Sequence, residues 1–412
     1  MTDHTFGKIA RPAPGPSQVP YLIESDEQAL GAAEHLAADF SIQASLRDSK
    51  RLLPWQELDR FSASGLWGAT VPAEYGGADI SAVTLAKIIA IIATVDGSLS
   101  QIPQNHFYAL EVLRVGGSDE QKRFFYGRVL AGERFGNALA EIGSKDFKRR
   151  TRLEQKDGRS FVHGQKFYCT GAIYAHWIPT LVVAEEDGKQ VQYLAIVPRN
   201  APGVTIIDDW DGFGQRVTGS GSVQFENVEI EPEWIIPFQS SFEHATTIGP
   251  FAQIMHAAID LGIGQGAYVD TLNFVRSRSR PWLDAKVEHA TDDPLTLSQI
   301  GNVSLRLKAA SALLDRAGRA VDSAQLSMFT QSVAAASIAV AEAKILCTKA
   351  GLLAANKLFE LSGTSSTLAE DNFDRHWRNV RTHTLHDPVR WKYQAVGNYY
   401  LNDRLPPRHG AI

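Results

Sequence analysis

The sequence predicts an α+β protein in which a helical region is followed by a β-rich region and then by a second helical region. Apolar residues recur at helical spacing before about residue 134 and again after about residue 240, whereas short β-branched and aromatic runs between turn residues fill the middle. A chain of 412 residues also predicts about two to four structural units. These textures give four expected segments: an N-terminal extension at 1–24, a helical domain at 25–134, a central β domain at 135–239 and a helical bundle at 240–412.

The N-terminal helical domain is predicted from apolar periodicity and from helix start and stop signals. Ser25 and Asp26 are possible caps, and the residues that follow them are apolar at intervals of three or four. The run Val83–Val95 is apolar on nearly every side, which is typical of a buried helix. The predicted helices cover residues 25–50, about 54–64, 83–95 and 104–115.

The central domain is predicted to be a compact antiparallel β unit. Its apolar runs are short and are separated by turn signals such as Glu186-Asp187-Gly188 and Pro202-Gly203. No long helical pattern separates these runs, so alternating βαβ units are not favoured. The predicted strands centre on residues 160–162, 180–183, 192–197 and 222–225.

Two long helices are predicted in the C-terminal region. Apolar residues between Ile300 and Val321 step by three or four and form one seam. The segment from about Thr330 to Glu360 is rich in alanine, which suits close contact between helices in a bundle or at a subunit interface.

Composition excludes several classes of partner. The net charge is −5 and the charges form neither a basic stripe nor an acidic tail, so we expect no nucleic acid and no anionic membrane as partner. No window approaches the ~18 consecutive apolar residues of a membrane span, and residues 1–20 hold no signal-peptide core. Cys169 and Cys347 are too few for a disulfide framework, so a reducing, cytoplasmic location is expected.

The densest group of titratable side chains lies between His383 and Asp387. His383 and His386 are spaced to share a helical face, and three arginines at residues 375, 378 and 381 precede them. A histidine there could act as a general base, since its pKa lies near neutrality. The same pattern also suits a solvated helix with paired charges. A metal site would need a third ligand, and the sequence shows none nearby, so we expect no metal.

The sequence contains no strong motif for binding phosphate or a nucleotide cofactor. The chain holds no GxGxxG before a helix and no GxxxxGK[ST], GxSxG or HExxH. Arg276, Arg278 and Arg280 could bind phosphate, but they could equally be cations at the exposed end of a helix. Tyr168-Cys169-Thr170 and Trp210 could line a cofactor or could simply alternate in a strand core.

Longer motifs in the sequence resemble those of a known protein family. Asn137-Ala138-Leu139-Ala140-Glu141, Lys166-Phe167-Tyr168-Cys169-Thr170 and the stretch from Val223 to Val228 resemble the acyl-CoA dehydrogenase superfamily. The stretch from Trp377 to Pro388 is similar to its flavin-dependent monooxygenase branch, that of the dibenzothiophene monooxygenases, methanesulfinate monooxygenases and other sulfur-acquisition oxidoreductases. The resemblance covers about residues 25–405.

This resemblance implies a fold and an activity. The fold is an N-terminal helical domain, a central antiparallel β-barrel and a C-terminal four-helix bundle, assembled as a homo-oligomer, a tetramer. The activity is that of a two-component monooxygenase, which takes reduced FMN from a separate NAD(P)H-dependent flavin reductase. Reduced FMN and O₂ would form a C4a-(hydro)peroxide of the flavin, which would oxygenate a small organosulfur compound in sulfur acquisition.

The resemblance also implies roles for individual residues. His386 would be the catalytic base with His383 as companion, Thr170 would face flavin N5, and Asn137 would fix the ring and the oxygen. The implied flavin-binding residues are Asn137, Glu141, Tyr168, Cys169, Thr170, Trp210, Arg280, Thr364, Ser365 and His386. The implied substrate pocket consists of Gln101, Asn105, His106 and Trp210.

Departures from the superfamily pattern favour FMN and oxygenation over FAD and acyl-CoA oxidation. His386-Asp387-Pro388 replaces the glutamate before glycine that a dehydrogenase uses as base, and Arg280-Pro281-Trp282 replaces the pattern that helps to hold the adenine half of FAD. Within the branch, Gln101, Asn105 and Ser365 differ from the dibenzothiophene monooxygenases, so the substrate is not carried over. Two alternatives remain: an FAD-dependent acyl-CoA dehydrogenase, and a non-catalytic flavin-binding partner or regulatory protein.

Overall fold

A computed structural model describes residues 8–9, 19–143 and 148–412. The expected N-terminal extension at 1–24 falls mostly outside the described residues, which begin their continuous course at residue 19. Helices, then a sheet, then helices follow one another along the chain, so the predicted α+β fold class is confirmed. Among the described residues no helix is both long enough and apolar enough to cross a membrane.

The N-terminal region forms six α-helices in the described chain. The helix expected over 25–50 is two helices, and the helix expected at 104–115 begins seven residues earlier. That early start is explained by Asp96, whose carboxylate accepts hydrogen bonds from the backbone N–H groups of Ser98 and Leu99. The six helices are α1 (Asp26–Ser41), α2 (Ala44–Lys50), α3 (Trp55–Ala63), α4 (Ala82–Val95), α5 (Gly97–Gly116) and α6 (Asp119–Leu130).

The central region forms one sheet with the strand order β1-β6-β7-β3-β2-β4-β5-β8. Its strands are β1 (Lys8–Ile9), β2 (Arg152–Lys156), β3 (Arg159–Lys166), β4 (Trp177–Glu186), β5 (Lys189–Pro198), β6 (Val204–Asp208), β7 (Ser222–Ile230) and β8 (Ile235–Pro237). The expectation of a wholly antiparallel unit needs one correction, because β2 and β4 pair in parallel at Arg152 and Val183. The loop between β3 and β4 carries the chain back, so that β4 enters beside β2 in the same direction.

The C-terminal region is built on three long helices. They are α8 (Ile248–Ser277), α9 (Pro294–Leu326) and α10 (Thr330–Ser362), accompanied by the shorter α7 (Ser240–Glu243), α11 (Asp374–His383) and α12 (Val389–Asn402). The predicted seam of α9 is buried from Val303 to Val321. Gly264 of α8 and Gly351 of α10 let the two helices approach closely, because a Cβ on Gly264 would lie 2.7 Å from the Gly351 Cα.

Helix α5 is the wall between the sheet and the C-terminal helices. It is buried from Gly97 to Leu113, and it contacts α8 and α11. A Cβ on Gly171, in the loop after β3, would contact the Ile102 side chain at 3.4 Å. Side chains from all three regions therefore converge around the first half of α5.

Candidate functional site

Three buried amide oxygens mark the centre of the candidate site. Gln101 and Gln104 lie on one face of α5, and Asn137 lies in the segment between α6 and β2. The side-chain oxygen of each is buried and has no hydrogen-bond partner within the described chain. Because an unpaired buried amide costs free energy, we expect each of these oxygens to accept a hydrogen bond from a water or from a bound ligand. Asn105, one turn along from Gln101, is also buried.

The segment that carries Asn137 is held rigidly against strand β4. The N–H groups of Gly136 and Ala138 donate to the carbonyls of Trp177 and Pro179, at 2.9 and 3.0 Å. The Ala138 carbonyl accepts from the N–H of Leu181 in return. Asn137 is therefore presented from an added strand-like edge.

Tyr168 and Trp210 form an aromatic corner near Thr170. Tyr168 has a left-handed backbone with φ +56° and its ring is 56% exposed, which is unusual for a large aromatic residue. Its ring meets Trp210 edge to face, with centroids 6.3 Å apart. An exposed ring on a strained backbone is typical of a residue held in place to contact a ligand.

Thr170 belongs to a row of three buried hydroxyl groups. Its Oγ1 lies 2.7 Å from Ser220 Oγ, which lies 2.6 Å from Thr218 Oγ1. The Thr218 hydroxyl donates to the Gln215 carbonyl at 3.0 Å. We call Thr170, Ser220 and Thr218 the hydroxyl chain.

Gln215 connects the hydroxyl chain to helix α5 of the N-terminal region and to helix α11 of the C-terminal region. Its backbone N–H donates to Asn379 Oδ1 of α11 at 2.6 Å, and its side-chain Nε2 donates to the Gly97 carbonyl of α5 at 3.2 Å. The Gln215 carbonyl also accepts from Trp210 Nε1 at 2.9 Å. One residue thus fixes Trp210 and the hydroxyl chain relative to the helices.

The structure brings His383 and His386 together, but not on one helical face. Helix α11 ends at His383, and His386 lies in the bend that follows. Both rings gather around His256 of α8, with centroid distances to it of 5.2 Å for His383 and 4.1 Å for His386. His386 remains 46% exposed and its Nδ1 lies 3.1 Å from Asp387 Oδ2.

A fully buried carboxylate sets the tautomers of two of these histidines. Asp260 accepts hydrogen bonds from Lys344 Nζ at 2.7 Å, from Thr348 Oγ1 and from His383 Nδ1. A neutral His383 must then accept through Nε2, which lies 3.0 Å from His256 Nδ1. The proton of His256 therefore lies on Nδ1, and its Nε2 keeps a free lone pair.

Burial and charge keep this cluster in defined protonation states. Burial lowers the pKa of His383 to about 4, although Asp260 opposes the shift, and burial lowers the pKa of His256 well below its ordinary value. Burial alone would raise the pKa of Asp260, but Lys344 and His383 hold it at about 2. The pKa of Asp387 is likewise held well below its ordinary value by His386, against the effect of burial. Two neutral histidines thus lie beside two ionised carboxylates.

The fold adds His256 to His386 and Asp387, so three possible metal ligands lie close together although the sequence showed no third ligand nearby. One ligand atom each from His256, His386 and Asp387 lie within 4.8 Å of one another, a grouping that the spacing along the chain does not reveal. Asp387 Oδ2 already accepts from Gln253 Nε2 at 2.9 Å and is bonded to His386. Within the described residues this carboxylate oxygen therefore already has two hydrogen-bond partners.

Several residues that the resemblance places in the site are occupied elsewhere. The two ring nitrogens of His106 bond the Trp67 carbonyl and the Phe135 N–H, at 2.9 and 3.0 Å, and burial lowers its pKa to about 3. His106 is therefore a neutral core residue whose nitrogens cannot reach a substrate. The Glu141 carboxylate is bonded to the buried Lys166 and to the N–H groups of residues 150 and 151. The Cys169 thiol is fully buried, which raises its pKa.

The expected phosphate-binding residues lie at the far end of the bundle. Arg280 follows the C-terminal end of α8, and Thr364 and Ser365 follow the C-terminal end of α10; all three are exposed. Ser279 Oγ donates to the Leu361 carbonyl at 3.4 Å, which joins these two ends. Along α8, His256 and Ser277 are about 30 Å apart at ~1.5 Å per residue. Within one chain, these residues and the histidine cluster are too far apart to share one small ligand.

Most of the arginines near the histidine cluster are paired with carboxylates. Arg375 contacts Asp270 at 2.9 Å, and Arg378 contacts Asp48 at 2.7 Å. These pairs join α11 to α8 and α2, so the two side chains are structural rather than an open anion site. Arg278 is similarly paired with Asp371 at 2.7 Å.

Sequence reasoning missed His256, Asp260 and Lys344, although the chain does carry a signal for them. Each is an ionisable residue inside a long apolar or alanine-rich helix, where an unpaired charge would be costly. Such residues predict one another as partners. Ser220 and Thr218 carried no comparable signal, because serine and threonine are common in turns.

Comparison with protein families divides the chain as the fold does. Residues 26–133 match the N-terminal domain of acyl-CoA dehydrogenase, residues 141–228 its middle domain and residues 254–391 its C-terminal domain.

Known proteins are similar to the chain over almost its whole length. A dibenzothiophene monooxygenase of Rhodococcus erythropolis is 32% identical, with 93% of this chain and 95% of that protein covered. The probable FMNH2-dependent monooxygenase SfnC of Pseudomonas putida is 31% identical over 92% and 96%. The crystal structure of TdsC from Paenibacillus sp. A11-2 with FMN and indole superposes with a TM-score of 0.88 at 30% identity, over 94% and 100%. The chain therefore belongs to the acyl-CoA dehydrogenase superfamily and is an enzyme of its flavin-dependent monooxygenase branch.

Proposed function

We propose that the protein is a two-component monooxygenase that uses reduced FMN and O₂ to oxygenate a small organosulfur compound. The observation that carries this proposal is the site around α5, where buried unpaired amides, an exposed aromatic corner and a histidine cluster replace the glutamate base of a dehydrogenase. When bound, reduced FMN supplies the electrons that activate O₂. The residues of the chain bind, orient and manage protons.

The residues present fit a flavin ring. Asn137 offers a buried amide oxygen without a partner, which suits the polar edge of the ring. Tyr168 and Trp210 offer aromatic surface, and Thr170 offers a hydroxyl from a buried position. The bound FMN of TdsC supports FMN rather than FAD.

His386 is proposed to hold and move the proton that oxygen activation requires. It is half exposed, stacks on His256 and is hydrogen-bonded to an ionised Asp387. Asp260 acts at a distance by fixing His383 and His256, so that the lone pair of His256 Nε2 stays available. We propose His386 as catalytic and His383, His256 and Asp260 as positioning residues.

The lining of α5 favours a small polar sulfur compound. Gln101, Gln104 and Asn105 bring three buried amide groups to α5. The unpaired oxygens of Gln101 and Gln104 accept hydrogen bonds, and a flat aromatic hydrocarbon has no donor to offer them. The substrate is proposed to be a small polar organosulfur compound rather than a flat aromatic one.

A homo-oligomer, a tetramer, is proposed because the flavin site needs both ends of the bundle. Arg280, Thr364 and Ser365 are exposed and distant from the histidine cluster of their own chain, so a second copy would have to supply them. Large exposed apolar residues of α9 and α12, such as Leu326 and Leu401, are consistent with such contacts. Light scattering should report a mass several times the 45.2 kDa of one chain. A monomer that binds FMN with full affinity would contradict this arrangement.

The source of electrons is proposed to be a separate NAD(P)H-dependent flavin reductase. SfnC is named as FMNH2-dependent, which supports delivery of flavin in the reduced state. Because the reductase would draw on NAD(P)H, we propose that both components lie in the cytoplasm.

Turnover with a purified reductase tests the proposal. Protein, FMN, NADH and a flavin reductase are mixed with methanesulfinate or with dibenzothiophene, and loss of the sulfur compound is measured. We expect consumption of a sulfur compound that stops when the reductase or FMN is omitted. Bleaching of protein-bound FAD by an acyl-CoA, without consumption of either sulfur compound, would favour a dehydrogenase instead.

A further inference from the structure

The hydroxyl chain of Thr170, Ser220 and Thr218 has only one arrangement of protons that satisfies all its contacts. The Gln215 carbonyl can only accept, so the Thr218 proton points to it. Thr218 Oγ1 must then accept from Ser220, because two oxygens 2.6 Å apart without a proton between them would repel. Ser220 Oγ in turn accepts from Thr170. The Thr170 proton therefore points into the protein.

We propose that this one-way hydroxyl chain makes Thr170 a hydrogen-bond acceptor toward the flavin, so that the site prefers reduced FMN to oxidised FMN. Reduced flavin carries a proton on N5 and can donate it to Thr170, whereas oxidised flavin presents a lone pair there. The inference rests on the proposed function and on the contact between Thr170 and flavin N5 that the family resemblance implies. Ser220 and Thr218 are positioning residues that need not touch the flavin.

Backbone hydrogen bonds hold the three residues of the hydroxyl chain in this arrangement. The Cys169 N–H donates to the Gly221 carbonyl at 2.9 Å, and the Gly171 N–H donates to the Thr218 carbonyl at 3.1 Å. These two bonds clamp the loop of Thr170 to the loop of Ser220. Gly219 is required between them, because its φ is +61° and a Cβ there would lie 2.3 Å from the Ile173 side chain.

Gln215, which accepts from the Thr218 end of the hydroxyl chain, is also held in a fixed position. The Gln215 carbonyl accepts from Trp210 Nε1, from the Thr218 hydroxyl and, at 3.3 Å, from the Thr218 N–H, so its position is fixed by three donors. Gln215 itself is held by Asn379 and Gly97 from two different helices. To donate to oxidised flavin, Thr170 would have to reverse the chain and break the bond from Thr218 to Gln215. The reversal therefore costs about one hydrogen bond.

The test compares the affinities of the protein for the two redox states of FMN. Oxidised FMN is titrated in air by fluorescence, and photoreduced FMN is titrated without oxygen. Wild type is compared with Ser220→Ala and Thr218→Val, which break the chain, and with Thr218→Ser, which keeps the hydroxyl. Thr271→Val removes a buried hydroxyl that bonds only the Ala267 carbonyl of its own helix and serves as the matched control.

We expect the ratio of the oxidised-FMN Kd to the reduced-FMN Kd to fall roughly 3- to 10-fold in Ser220→Ala and Thr218→Val, the equivalent of one hydrogen bond. Thr218→Ser and Thr271→Val should keep the wild-type ratio. A general loss of folding would weaken both affinities without moving the ratio, so the readout separates the two effects.

Two results would overturn the inference in distinguishable ways. An unchanged ratio in both chain-breaking variants, with FMN bound by all proteins, would refute the one-way chain and leave the proposed function in place. Failure of wild type to bind FMN in either state would refute the proposed function together with the inference.

Discussion

At the scale of single residues, chemistry is divided between an exposed histidine and buried ones. His386 is accessible to a ligand, whereas His256 and His383 are enclosed and neutral. A group that must exchange a proton with a bound molecule needs access, and groups that orient it need rigidity. The contrast in exposure supports our proposal that His386 exchanges the proton.

Replacing His386 should separate flavin binding from oxygen transfer. In His386→Ala we expect FMN affinity within about twofold of wild type, because the ring stacks on His256 and does not hold the fold. Without this group, oxygen consumption should yield hydrogen peroxide instead of oxygenated product. The measurement is the ratio of peroxide to product per NADH in the coupled assay.

The matched control for that experiment is His35→Ala, which removes an exposed histidine of α1 outside the site. It should behave as wild type. An unchanged product yield in His386→Ala would exclude His386 from the reaction.

Residue-level prediction succeeded where residues are close in sequence and failed where they are not. His383 and His386 are three apart, so their proximity was predictable even though the helix ends between them. His256 lies 127 residues from His383, and the sequence shows only that a histidine stands in an apolar helix. His256 contacts His383 because of the way α8 packs on α11, and hydrophobic periodicity does not predict that packing.

At the scale of elements, the close contact between α8 and α10 fixes the histidine cluster. Lys344 of α10 bonds Asp260 of α8, and two turns further along α10 Gly351 packs against the same helix. Any change in this spacing would therefore also shift the groups that orient His383.

A methyl group at this crossing should destabilise the protein. In Gly264→Ala the new Cβ would lie 2.7 Å from the Gly351 Cα, a backbone atom that cannot move aside. We expect a loss of about 1–3 kcal/mol, more than the gain in helix propensity. Gly301→Ala in α9 is the control, since nothing lies within 4 Å of its Cβ, and it should stabilise by about 0.5–1 kcal/mol. Urea unfolding followed by circular dichroism measures both, and equal effects would contradict the packing argument.

Elements with strong periodicity were predicted, and short or atypical ones were not. The strand centres at 160–162, 180–183, 192–197 and 222–225 lie within β3, β4, β5 and β7. Strands β2 and β8 were missed because they are short, and four of the five residues of β2 are exposed, which removes the alternating pattern. The early start of α5 was missed because it contains Pro103, which usually marks a helix boundary.

At the scale of the whole molecule, stability should fall as the pH falls below neutrality. His106, His256, His376 and His383 are buried, and burial lowers the pKa of each in the folded protein, to about 3 for His106 and about 4 for His383. The unfolded chain binds protons on these residues near pH 6.5, and the folded chain does not. Their contribution is therefore complete above about pH 6.5 and is lost as the pH falls toward 4.

The measurement is the urea midpoint at a series of pH values from about 7.5 to 5. Each such histidine lowers the free energy of unfolding by up to about 1.4 kcal/mol per pH unit below pH 6.5. The low pKa of Asp260, about 2, acts only below about pH 4 and does not affect this window. In His106→Gln the slope should be smaller. A midpoint that is flat or that rises on acidification would contradict the burial of neutral histidines.

The three regions of the molecule meet at one proposed flavin site, where reduced FMN alone should support oxygen transfer from O₂ in the absence of any nicotinamide. The most direct measurement is a single turnover under ¹⁸O₂. Protein loaded with photoreduced FMN, with no NAD(P)H and no reductase, is mixed with whichever sulfur compound is consumed in turnover, and the product is analysed by mass spectrometry. We expect one ¹⁸O atom in each molecule of product. Product without label, or label found only in hydrogen peroxide, would contradict it.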